Sequence, residues 1–147
     1  IFNAAGRIGG GMLSDKIGRL RTLQIMITLQ GINMLLFAFY SSPLTIALGT
    51  AAAGVAYGSL LSLFPAVTSD YYGLKNFGLN YGILYTAWGV SGAIGPVIAS
   101  AIADSTGSFN MAYLISAVLL ALTLVLNFML KPVSGIHEKI NRESKSA

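Results

Sequence analysis

Four runs of the chain, residues 22–40, 44–68, 80–103 and 111–130, contain no Asp, Glu, Lys, Arg or His. Each is close to the roughly 20 apolar residues that carry a helix across a hydrocarbon layer. Inside such a layer no water is available to the backbone, so each run must satisfy its own N–H and C=O groups as a helix. Composition agrees with this reading. Of 147 residues, 54% are hydrophobic and 10% are charged, against about 25% charged in a soluble domain. The expected fold class is an all-α polytopic membrane protein. A fully buried soluble bundle is the competing fold, and the blocked spacing of the runs argues against it.

Taken in order, residues 1–13 read as the end of a span whose beginning lies outside the chain. A tight turn over 14–21 follows, holding Asp15, Lys16, Arg19 and Arg21, with Gly11 and Gly18 suited to close packing of the flanking helices. Ser41-Ser42-Pro43 is a minimal turn, with proline placed to start the next helix. Gly54-x-x-x-Gly58 permits close helix contact, and Pro65 is expected to bend or end its span. Residues 69–79 form a polar-aromatic loop, 104–110 a short turn, and 131–147 a polar tail. The segments 14–21, 69–79 and 131–147 carry eight Lys and Arg residues, whereas the turns at 41–43 and 104–110 carry none. That asymmetry puts the tail and the opening turn in the cytoplasm. Residue 1 lies within an apolar segment without an initiator Met, so a longer protein with a further N-terminal half is expected.

The net charge of +4 does not make a nucleic-acid face, because the basic residues sit in short loops and the tail. Cysteine is absent, and the single His137 lies in the tail without a carboxylate cluster, so neither a metal site nor an enzyme is expected. No Gly-Lys-Ser/Thr ending accompanies the glycine-rich stretches, so no nucleotide cofactor is expected. The exception to this chemical silence is Arg7, six residues before the end of its span and so about 9 Å inside the boundary. A guanidinium there is costly unless it faces a wet cavity or a partner. It can snorkel to the interface, bond a carbonyl, or grip a carboxylate with two parallel bonds. Tyr57, Tyr85 and Trp88 lie near mid-span, and Tyr85 and Trp88 share a helix face. They either pack within the bundle or shape a cavity.

The pattern Gly11-x-x-x-Asp15-Lys16-x-Gly18-Arg19 resembles the loop signature of the major facilitator superfamily, with Leu20 standing where a second basic residue is usual. Three further segments resemble the oxalate/formate antiporter and bacterial monocarboxylate transporter family within it. They are Asn3-x-x-Gly6-Arg7-x-x-x-Gly11-x-x-Ser14-Asp15, Phe64-Pro65-x-x-x-x-Asp70-Tyr71-Tyr72-Gly73 and Asn80-Tyr81-Gly82-Ile83-Leu84-Tyr85-Thr86-Ala87-Trp88-Gly89. The resemblance implies twelve spans in two halves, this chain supplying the end of span eight through span twelve, in the inner membrane of a prokaryotic cell. It implies that Arg7 contacts a small anionic carboxylate and that Tyr57, Leu61 and Tyr85 wall the pocket. A second basic residue of oxalate exchangers falls at Trp88, and a site with one cation suits a monoanion such as lactate, pyruvate or formate. The expected function is alternating-access transport, coupled to protons or to anion exchange. Gly11, Asp15, Lys16, Gly18 and Arg19 would form the gating loop. A drug or sugar porter of the same fold and a truncated, non-transporting membrane subunit are the alternatives.

Overall fold

The computed structural model describes residues 1–130, which form five α-helices: α1 Phe2–Ile17, α2 Arg19–Phe37, α3 Pro43–Tyr72, α4 Phe77–Thr106 and α5 Asn110–Met129. The described residues contain no strand, and α2 to α5 are each long and apolar enough to cross a membrane. The polar tail expected over 131–147, His137 included, lies outside the described residues.

Helices outrun the uncharged runs at six of their eight ends; α2 stops at Phe37, three residues short of the expected Tyr40, and α5 stops one short, at Met129. The turn expected over 14–21 shrinks to one residue, Gly18, between α1 and α2. Gly18 has φ 96° and ψ 152°, a region open essentially to glycine alone. Gly11, Asp15 and Lys16 are therefore helical in α1, Arg19 is helical in α2, and of the expected gating loop Gly18 alone is non-helical. Hydropathy marks where charge begins, but a charged residue at a membrane edge can stay in its helix. The loop over 69–79 contracts to 73–76 and the turn over 104–110 to 107–109 for the same reason. Pro65 does not end its helix, which continues to Tyr72. Its missing N–H leaves the Leu61 carbonyl without its usual intrahelical donor. The start of α3 follows its residue types. Pro43 occupies the first helical position, and Ser42 and Thr45 cap each other reciprocally at 3.2 Å.

Close approach between α1 and α3 dominates the packing. The pairing is parallel: Phe2 and Asn3 lie against Gly54 and Gly58, Gly6 against Val55, and Gly10 against Ser59. A Cβ on Gly6 or Gly58 would strike a backbone carbonyl of the partner helix, so only glycine lets these backbones meet. Buried Ser59 donates to the Gly6 carbonyl at 2.9 Å. Gly11, by contrast, has open space where a side chain would stand. The glycine contact lies one position earlier along the helix, at Gly10, because Gly6, Gly10 and Ser14 form the buried stripe. Leu23, Met26 and Ile27 of α2 and Leu63 of α3 form an apolar core, against which Leu13 of α1 also packs. Asn33 of α2 donates to the Gly49 carbonyl at 2.9 Å near the far end of that contact. Helix α2 also packs along α5, whereas α4 has no buried residue and only lightly touches α3 and α5.

Candidate functional site

Since α1 runs to Ile17, Arg7 lies ten residues from the helix end, about 15 Å at the helical rise. The α1–α3 register sets it level with the turn of α3 that carries Tyr57, half-way along that 30-residue helix. Its Nε donates to Asn3 Oδ1 at 3.1 Å, one turn earlier on the same face. Arg7 is exposed and has no carboxylate partner among the described residues. Asn3 is the orienting residue that sequence reasoning did not assign, although the i, i+4 spacing in Asn3-x-x-x-Arg7 signals it. With Nε occupied, the Nη1 and Nη2 edge is the part of the fork left to meet a carboxylate.

A cavity of about 490 Å³ opens between α3, α4 and α5. Leu61 and Phe64 of α3, Tyr81, Tyr85 and Trp88 of α4, and Thr123 of α5 stand in its wall. Three expected site residues, Leu61, Tyr85 and Trp88, are thus brought together. Arg7 and Tyr57 are not part of that wall. Tyr57 nonetheless precedes Leu61 by four positions and Phe64 by seven, which puts all three on one stripe of α3. The Tyr85 and Trp88 rings are in contact, their centroids 4.8 Å apart. Tyr81 and Phe77 extend the row at 5.5 Å intervals, a ladder legible in the spacing 77, 81, 85, 88 but not assigned from it. Tyr57, Tyr85 and Trp88 are 41–45% exposed within this chain. Thr123 gives its proton to the Leu119 carbonyl. The hydroxyls of Tyr57, Tyr81 and Tyr85 and the Trp88 indole N–H make no hydrogen bond among the described residues and are the donors left over.

A second constellation gathers where α1 and α3 end and α2 begins. Arg19 Nη1 donates to Asp15 Oδ1 at 2.6 Å and to Ser14 Oγ, while its Nε reaches Asp70 Oδ2 at 3.4 Å. One guanidinium therefore ties the last turn of α1 to the last turn of α3 across the Gly18 break. Asp15 and Asp70 are 68% and 42% exposed, so solvent screening keeps each pair weak and readily broken. Lys16, expected in the same latch, makes no ion pair among the described residues. Asp70 reads from sequence as a loop or capping residue, and only the fold reveals its partner.

The sequence model described as Major Facilitator Superfamily matches residues 1–147. The chain is 37% identical over 92 residues to the uncharacterized MFS-type transporter YhjX of Escherichia coli strain K12, covering 61% of this chain and 23% of that protein. It is 34% identical over 125 residues to the oxalate:formate antiporter of Oxalobacter formigenes, covering 80% and 28%. It is also 34% identical over 84 residues to apicoplast pyruvate carrier 2 of Toxoplasma gondii, covering 56% and 13%. The chain thus spans between about an eighth and about a quarter of the length of these curated relatives. Membrane-length helices, a glycine-packed helix pair and a whole-length family match converge on one conclusion: this chain belongs to the Major Facilitator Superfamily, whose members are integral-membrane transporters and not enzymes.

Proposed function

We propose that the chain is the C-terminal part of a secondary transporter that moves small monocarboxylates by alternating access. The observation that carries this reading is Arg7, a guanidinium level with the middle of α3 and held by Asn3, with its Nη edge unpaired among the described residues. About 12 Å separates it from the nearest charged turn at Asp15, farther than an arginine side chain comfortably snorkels. A fixed cation at that depth has its natural partner in an anion, and a guanidinium fork matches a carboxylate. Tyr57 would donate a hydrogen bond, while Leu61, Tyr85 and Trp88 would shape the cavity that admits the carbon skeleton. A lone cation favours a monoanion such as formate, lactate or pyruvate over a dianion. Two relatives named for oxalate:formate exchange and pyruvate carriage point to the same substrate class. The N-terminal half would close the site from the other side, and the protein would sit in a prokaryotic inner membrane with its tail cytoplasmic.

The test is uptake of labelled formate, lactate, pyruvate and oxalate by the full-length protein in vesicles. The parent is expected to take up a monocarboxylate in preference to oxalate. Arg7→Lys keeps the charge but not the fork, and is expected to lose about tenfold or more of that uptake at unchanged membrane abundance. Unchanged uptake by this variant would remove Arg7 from the site, and uptake of neutral sugars alone would remove the carboxylate reading altogether.

A further inference from the structure

Helix α2 carries a groove of about 710 Å³ on the side opposite its core contacts. Arg21 stands at one end, where α1 and α2 meet, and Ile25, Thr28, Leu29 and Ile32 continue away from it. These positions recur at helical spacing and form one stripe, and Ile25, Leu29 and Ile32 are all exposed. From Arg21 to Ile32 the stripe rises about 16 Å, the depth of one leaflet of a ~30 Å hydrocarbon core. Charge at its head is uncompensated. Both carboxylates at this end, Asp15 and Asp70, are engaged by Arg19, and Arg21 has no partner among the described residues.

We propose that this groove is a binding site for an anionic phospholipid. Arg21 holds the headgroup phosphate, and one acyl chain lies along Ile25, Leu29 and Ile32. A neutral chain alone gains little there, because surrounding lipid tails are as apolar as the groove. The headgroup charge is what distinguishes the occupant, since a basic residue at the membrane surface attracts anionic lipid. The site is separate from the cavity beside α4 and does not depend on the transported substrate.

Native mass spectrometry of the full-length protein, released from detergent with added phosphatidylglycerol or phosphatidylcholine, tests the proposal. The parent is expected to retain phosphatidylglycerol preferentially. Arg21→Gln should reduce that preference about fivefold, whereas Lys75→Gln, a basic residue at the same end but off the groove, should leave it unchanged. Leu29→Trp fills the groove without touching the charge and should also lower retention. Inorganic phosphate should not displace the lipid. Equal retention of the two lipids by the parent would overturn the site. So would unaltered retention in Arg21→Gln or Leu29→Trp, a loss in Lys75→Gln as large as in Arg21→Gln, or displacement by phosphate alone.

Discussion

Asp70 is the residue whose meaning changes most once the fold is known. Its position at the end of an apolar run suggests a solvated loop, yet it accepts from Arg19, 51 positions away. Both Asp15 and Asp70 contact the same guanidinium, so either substitution by Asn should weaken the tie between α1 and α3 without reaching the substrate cavity. Asp70→Asn and Asp15→Asn are each expected to shift the balance of inward- and outward-open states, read by crosslinking across the two faces of the full-length protein. Substrate affinity should stay within about threefold, the scale of a lost exposed ion pair. A change in affinity with the state balance unmoved would assign them to the substrate site. Proton coupling is a separate matter. Asp70 is tied to Arg19 at an exposed helix end and stands outside the cavity wall. Uptake by Asp70→Asn between about pH 5 and 8 should therefore keep the parent's profile, whereas a flattened profile would move coupling to this residue.

Among the elements, the pairing of α1 with α3 has a physical cause that can be tested glycine by glycine. A methyl group on Gly58 would meet the Asn3 carbonyl, a backbone atom that cannot turn aside. Gly58→Ala is expected to cost about 1–3 kcal/mol through overpacking and to lower the unfolding temperature of the full-length protein in detergent. Gly92, in α4, has nothing within 4 Å among the described residues. Alanine is the better helix former by about 1 kcal/mol, so Gly92→Ala should not lower that temperature. Equal losses at both positions would mean that helix propensity, and not close contact, explains the glycines. The contrast also separates two kinds of glycine that look alike in a sequence. Gly6 and Gly10 of α1 and Gly54 and Gly58 of α3 are contact residues, whereas those in α4 lie on a helix with no buried residue.

At the scale of the whole molecule, the helices alternate in direction, and the charges collect where α1 meets α2 and α3 meets α4. Lys75 lies at that end, and Ser108 in the turn at the opposite one. This chain has no cysteine, so in a full-length protein whose other cysteines are replaced a single introduced thiol reports its side. Lys75→Cys is expected to react with an impermeant maleimide only from the cytoplasmic face, and Ser108→Cys only from the outer face. The reverse pattern would invert the orientation argued from the basic loops.

Membrane-length helices, the side that carries the basic residues and the candidate anion site at Arg7 are legible in the chain itself. Their cause is local: the cost of moving a side chain into hydrocarbon depends on that side chain and its window, not on neighbours elsewhere. Helix ends are less legible, because polar residues such as Asp15, Lys16 and Asp70 can remain helical at the membrane edge. Tertiary structure alone decides that Gly10 and not Gly11 meets α3, that Arg19 joins Asp70, and that Arg7 stands level with the turn of α3 that carries Tyr57. It also brings Leu61, Tyr85 and Trp88 to one wall while leaving Arg7 and Tyr57 off it. Each of these depends on which helices are neighbours and in what register. Lipid offers little hydrophobic preference between one apolar face and another, so neighbours and register are chosen by close backbone contact and buried hydrogen bonds such as Ser59 to Gly6.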